Sequence, residues 1–153
     1  MDCLPKQMPQ SKFKLVNRMH DIDSIPFYIK KELLDLFNIK IPTNLMDNSI
    51  ILLSSCYKRN IDVSQQFNVM KAVVEKSKNF NIYIKPHPRD MTDYSSLSDK
   101  IIIIDRFFPT ELFNFYKKKI FTKAIGMNTT SVFSCNFAIH KEFISLKEID
   151  YEH

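Results

Sequence analysis

Two short segments of the 153-residue chain hold the side chains best suited to chemistry. The first, Lys85-Pro86-His87-Pro88-Arg89-Asp90, places a lysine, a histidine and an arginine within five residues. Its two prolines hold the backbone around His87 extended and stiff. An imidazole can donate to a phosphate oxygen, and it carries charge where a neighbouring anion raises its pKa. The segment is therefore an anion site in outline; the alternative is a proline-rich turn around a structural histidine. The second segment, Gly126-Met127-Asn128-Thr129-Thr130-Ser131, holds the only glycine and three hydroxyls. Free N–H groups at a helix start bind anions, and small hydroxyls add donors. The alternative there is ordinary N-capping by Thr or Ser.

Both segments follow predicted strands. Ile50-Ile51-Leu52-Leu53 is a short continuous apolar run, the pattern of a strand buried on both faces. Phe67, Met70, Val73 and Val74 mark one face of a helix, with Asp62 as N-cap and Gln65 three residues on. Ile82-Tyr83-Ile84 and the β-branched run Ile101–Ile104 read as the second and third strands. Pro109 opens a helix carrying Leu112, Phe113 and Tyr116, with Glu111 in its first turn and Lys117, Lys118 and Lys119 at its end, an order that suits the helix dipole. A fourth strand runs from Ile120 to Ile125, Gly126 turns the chain into a short helix near Thr129–Cys135, and Phe143–Leu146 is a fifth strand. Alternation of this kind predicts an α/β fold, an open Rossmann-like parallel sheet flanked by helices. Ligands of such sheets bind beyond the carboxyl ends of the strands, so both donor-rich loops open onto one rim.

Residues 1–48 differ from the rest. They hold four of the seven prolines, and Ile29, Leu33, Leu36 and Phe37 recur at helical spacing, which predicts an amphipathic helix over Pro26–Asn38. The chain thus divides into an N-terminal arm, helix and linker (1–48) and a nucleotide-binding domain (49–153). Composition excludes several classes. One glycine cannot build a P-loop or a dinucleotide fingerprint. A net charge of +5, dispersed along the chain, does not make the concentrated basic face of a nucleic-acid binder. Cys3, Cys56 and Cys135 have no C-x-x-C spacing and read as reduced thiols. His20, His87, His140 and His153 are too scattered for a metal helix, so no metal is expected. The start, MDCLPKQMPQ, lacks the apolar run of a signal peptide, and no stretch approaches the roughly 20 apolar residues of a membrane span. A cytoplasmic protein is expected.

The strings IYIKPHPRD, IIIIDRFFPTELFNFY and IGMNTTSVFS together resemble the C-terminal half of bacterial sialyltransferases, of the capsule α-2,8-polysialyltransferase and lipooligosaccharide sialyltransferase type. The resemblance spans about residues 49–147. It implies one half of a GT-B architecture, in which two Rossmann-like domains face each other across a cleft and the C-terminal one binds the donor CMP-sialic acid. The family's His-Pro motif falls on His87-Pro88 and its Ser/Thr-Ser motif on Thr130-Ser131. These imply His87 as the catalytic group, a donor-phosphate site formed by Lys85, His87, Pro88, Arg89, Gly126, Asn128, Thr129, Thr130 and Ser131, and a ribose contact at Glu111. Arg106 and Lys85 are candidates for adding positive charge near the phosphate; the alternative for each is a solvated surface residue. A first-turn acid that only stabilises its helix is the alternative for Glu111.

The same families carry an Asp/Glu-Asp/Glu-Gly motif that supplies the base for the acceptor hydroxyl. This chain has no such string; Ala124-Ile125 precede its one glycine. The resemblance therefore implies a donor half whose glycan acceptor and base are met by a separate N-terminal domain or chain, with at most peripheral contact to the inner membrane. Two other readings remain: a CDP-glycerol-type transferase, which has a similar His-Pro loop, and an inactive remnant.

Overall fold

Ser49–Leu53 (β1) is buried at every residue because it lies at the centre of a sheet with a partner strand on each side. The computed structural model describes residues 24–36, 48–55, 63–116 and 119–146. The remaining strands are Asn81–Lys85 (β2), Ile101–Ile103 (β3), Phe121–Met127 (β4) and Ala138–Ile144 (β5). All four pairings are parallel, in the order β3-β2-β1-β4-β5. The chain builds outward from β1 to β3, then returns to the far side of β1 for β4 and β5. The strand order reverses between β1 and β4, the place in open α/β sheets where ligands commonly bind beyond the carboxyl ends of the strands.

Side chains alternate across the sheet. Ile50 and Leu52 of β1, with Ile82 and Ile84 of β2, pack beneath the helix Val63–Lys76 (α2) against Met70, Val74 and Tyr94. Ile51, Leu53 and Tyr83 point the other way, into an aromatic cluster around Phe113. The Phe113 ring lies 4.8 Å from Phe108, 5.1 Å from Phe137 and 5.5 Å from Phe121. Such ring pairs contribute about 0.5–1.5 kcal/mol each beyond area burial. The helix Phe27–Leu36 (α1) rests on this cluster through Leu33 and Leu34, and the Lys30 ammonium lies 5.7 Å over the Phe115 ring.

Several elements depart from the sequence reading. α1 turns Leu33 and Leu34 inward while Leu36 is exposed; Phe37 lies outside the described residues, as do Asp62, Cys3 and Cys56. The segment after Pro109 is a 3-10 helix, Thr110–Phe115, not an α-helix. Leu112, Phe113 and Phe115 are all buried within this single short piece, and packing rather than helix propensity shapes it. The segment Thr130–Ser134 is likewise 3-10, and another 3-10 turn, Ser95–Leu97, interrupts the β2–β3 connection. Gly126 belongs to β4 rather than to the turn after it, paired with Leu53 on β1 and Phe143 on β5. The fifth strand begins at Ala138, because this edge strand has one partner and tolerates the polar run His140-Lys141-Glu142. β3 is the opposite edge, so Ile102 and Ile103 are partly exposed. Among the described residues, no helix is long and apolar enough to cross a membrane.

Candidate functional site

Three described segments leave the sheet at its carboxyl rim: Ser54 and Ser55 after β1, residues 86–90 after β2 and residues 128–131 after β4. The loop after β2 is held at every step. The Ser54 N–H donates to the Lys85 carbonyl (3.2 Å), and the His87 N–H donates to Ser54 Oγ (2.8 Å). The Asp90 N–H closes a turn onto the His87 carbonyl (2.8 Å), with Pro88 at the position where its fixed φ suits a turn. The Arg89 N–H donates to His87 Nδ1 (3.1 Å). That bond makes Nδ1 an acceptor and puts the ring proton on Nε2. Burial holds the imidazole pKa below its ordinary value; the charges of Lys85 and Arg89 act in the same direction and Asp90 opposes them. His87 is therefore a neutral Nε2–H donor at pH 7. Pro88 and Arg89 are exposed beside it.

Lys85 is almost fully buried, at 5% exposure. Its Nζ donates to the Pro86 carbonyl (2.7 Å) and the Arg106 carbonyl (2.8 Å), tying the loops after β2 and β3 together. Burial pulls the ammonium pKa down to about 8, with Asp105 and Glu111 offsetting part of the fall. Two of its three N–H bonds serve the scaffold, so Lys85 acts on the rim as a charge from below. Arg106 places its guanidinium against Met91 Sδ, on the β3 side of the rim.

After β4, Asn128 takes a left-handed backbone (φ 50°), a conformation that asparagine tolerates, and its N–H donates to the Ile144 carbonyl (2.7 Å). Thr129 and Ser131 share a hydroxyl–hydroxyl bond of 2.8 Å, and Thr130 and Ser131 are exposed. No side chain caps the 3-10 segment that follows. Gly126 lets this segment fold back against its own strand: a Cβ there would meet the Thr129 carbonyl oxygen at 2.7 Å and Val132 Cβ at 2.8 Å. Glu111 is exposed on its 3-10 helix and interacts electrostatically with both Lys85 and Cys135, the residue just after Thr130–Ser134.

His87 and the hydroxyl loop thus share one rim, but β1 runs between their strands, so the strand ends stand two spacings, roughly 10 Å, apart. Ser54 and Ser55, which follow β1, stand in that interval. The sequence reading passed over them, although they stand at the carboxyl end of the most apolar strand. It also passed over a buried polar network beneath the rim. The Ser55 N–H donates to Gln66 Oε1 (2.9 Å); Gln66 Nε2 donates to Asp90 Oδ2 (3.3 Å) and Tyr94 Oη (2.9 Å); the Tyr94 O–H donates to Asp90 Oδ2 (2.7 Å). One signal was available: Gln66 precedes Met70 and Val74 at steps of four and so falls on the apolar stripe of α2. Among the described residues, no three His, Cys, Asp or Glu side chains come together as a metal site.

Comparison with known proteins adds three findings. The model of the family described as Alpha-2,8-polysialyltransferase (POLYST) matches residues 3–147. An uncharacterized protein of Haemophilus influenzae is 30% identical over 71 residues, which cover 46% of this chain and 23% of that protein. The Thermosulfurimonas dismutans KpsC structure, a beta Kdo 2,4 transferase, superposes at a TM-score of 0.48 with 16% identity, over 93% of this chain and 48% of that one. The chain therefore spans about a quarter of the one protein and half of the other.

Proposed function

This chain belongs to the α-2,8-polysialyltransferase family, and we propose that it is the donor-nucleotide half of a GT-B sialyltransferase, binding CMP-sialic acid for transfer to a surface glycan. In this reading residues 49–153 form the donor domain and residues 1–48 the arm and linker helix that lead to it. The supporting observation is that β2, β1 and β4 lie side by side where the strand order reverses, with an imidazole N–H in the segment after β2 and three hydroxyls in the segment after β4.

The reaction is an inverting displacement: an acceptor hydroxyl attacks the anomeric carbon and CMP leaves. The leaving phosphate gains negative charge as the bond breaks. His87 Nε2–H and the hydroxyls of Thr129, Thr130 and Ser131 donate to it, and Lys85 adds positive potential from beneath. Donors already in place need no reorganisation, and loss of one such group typically costs about 10²–10³ in rate. Glu111 accepts from the ribose hydroxyls. With the leaving charge met by these groups, the chain needs no metal of its own. The base that deprotonates the acceptor comes from a separate N-terminal domain or chain, since no Asp/Glu-Asp/Glu-Gly string is present.

Calorimetric titration of CMP, CDP and UDP into the wild-type chain and His87→Ala tests this reading. CMP is expected to bind most tightly, and His87→Ala to weaken it at least tenfold. Equal CMP binding by the variant overturns the assignment of His87. Preference for CDP points to a glycerophosphate-type donor, and absence of all three from the wild-type chain overturns the donor-domain reading.

A further inference from the structure

Gln66, Asp90 and Tyr94 are among the most deeply buried polar side chains, at 0%, 0% and 1% exposure. A buried carboxylate is costly unless its oxygens are satisfied. Here both oxygens are engaged: Oδ1 accepts the Thr92 N–H (3.0 Å), and Oδ2 accepts from Tyr94 and Gln66. Each member also reaches a different part of the scaffold. Gln66 is rooted in α2 and holds the loop after β1 through the Ser55 N–H. Asp90 ends the His87 turn through its own N–H. Tyr94 lies in the β2–β3 connection, its ring stacked on Phe67 of α2 at 6.3 Å.

We propose that Gln66, Asp90 and Tyr94 are positioning residues for His87: the network fixes the β1 and β2 loops in register and locks the imidazole in the Nε2–H form that faces a nucleotide phosphate. The proposal rests on the donor-site reading for its ligand, but its mechanical part does not. The turn that Asp90 closes is the one in which the Arg89 N–H meets His87 Nδ1, so loosening Asp90 releases the bond that sets the tautomer. Asp90 also bears on the charge of the ring. Burial, Lys85 and Arg89 disfavour the imidazolium and Asp90 opposes them, so losing the carboxylate charge lowers the pH at which Nδ1 takes a proton and gives up its bond from the Arg89 N–H.

The test uses Asp90→Asn and Tyr94→Phe in the full chain, with His87→Ala to assign the His87 ring signals. Nitrogen-15 NMR of the nucleotide-free protein is expected to show a single Nε2–H tautomer in the wild type and a tautomer mixture in Asp90→Asn, with the His87 titration moved to lower pH. Tyr94→Phe keeps the ring stack and is expected to weaken CMP binding about five- to tenfold without loss of the native fold. An Asp90→Asn protein with wild-type tautomer and titration overturns the proposal; if that variant does not fold, wild-type CMP affinity in Tyr94→Phe overturns it. Should CMP fail to bind the wild type, the donor-site reading falls alone, and the tautomer measurement still decides the mechanical claim.

Discussion

Gly126→Ala is the most revealing single substitution in the fold. Gly126 has no positive φ, so alanine meets no backbone penalty there. In open space the change would stabilise by about 0.4–1 kcal/mol through the unfolded chain. The added Cβ, however, would lie 2.7 Å from the Thr129 carbonyl oxygen, 2.8 Å from Val132 Cβ and 3.0 Å from Val132 Cγ1. The first contact is to backbone, and no rotamer change relieves it. Val132→Ala would remove only the Cγ1 contact, so it cannot rescue the variant. The 3-10 segment Thr130–Ser134 must move off β4, and overpacking of this kind costs about 1–3 kcal/mol. For a chain of this length that lowers Tm by about 2–12 °C. Urea or thermal unfolding reads the change, and CMP titration should show weaker binding, because the displaced segment carries Thr130 and Ser131. A variant as stable as the wild type, or more so, refutes the close-approach argument for the chain's one glycine.

Two further outcomes follow from buried titratable groups. The Lys85 ammonium has its pKa lowered to about 8 by burial, against an ordinary value of 10.5. Between these values the unfolded chain binds the extra proton, so this residue makes stability rise with pH across about 8 to 10.5. Denaturation of wild type and Lys85→Met at pH 7.5 and pH 10 should show the stability difference moving in favour of the wild type at the higher pH; a constant difference contradicts it. Burial pushes the Cys135 thiol up to about 12. Thiol labelling at pH 8 followed by peptide mapping should find Cys135 unmodified in the native protein and modified in denaturant. Rapid native labelling contradicts the burial of this thiol.

The elements legible in the sequence were those with strong patterns. Ile50–Leu53 stated its burial on both faces, and Phe67, Met70, Val73 and Val74 stated the inward face of α2. The alternation of strands and helices pointed to the parallel sheet, and the strings IYIKPHPRD, IIIIDRFFPTELFNFY and IGMNTTSVFS, in that order, pointed to the family that residues 3–147 match. What was missed depends on neighbours distant in sequence. β5 was placed late because an edge strand carries polar residues that a search for apolar runs rejects. The proline, acid and apolar residues around Thr110–Phe115 fit an α-helix, whereas burying Leu112, Phe113 and Phe115 together favours the tighter turn. In the sequence Gly126 suggests a turn, because a glycine more often signals conformation than the proximity of a side chain such as Val132. The Gln66–Asp90–Tyr94 network joins residues up to 28 positions apart, and only the odd polarity of one helix position hinted at it.

The most direct test of the account is a crystal structure of the chain with CMP. The account predicts the phosphate over the carboxyl ends of β1 and β4, within hydrogen-bonding distance of His87 Nε2 and of the Thr130 or Ser131 hydroxyl. A nucleotide seated instead in the cavity of about 360 Å³ between the β2 and β3 loops, against Asp93 and Arg106 with no contact to His87, would contradict it.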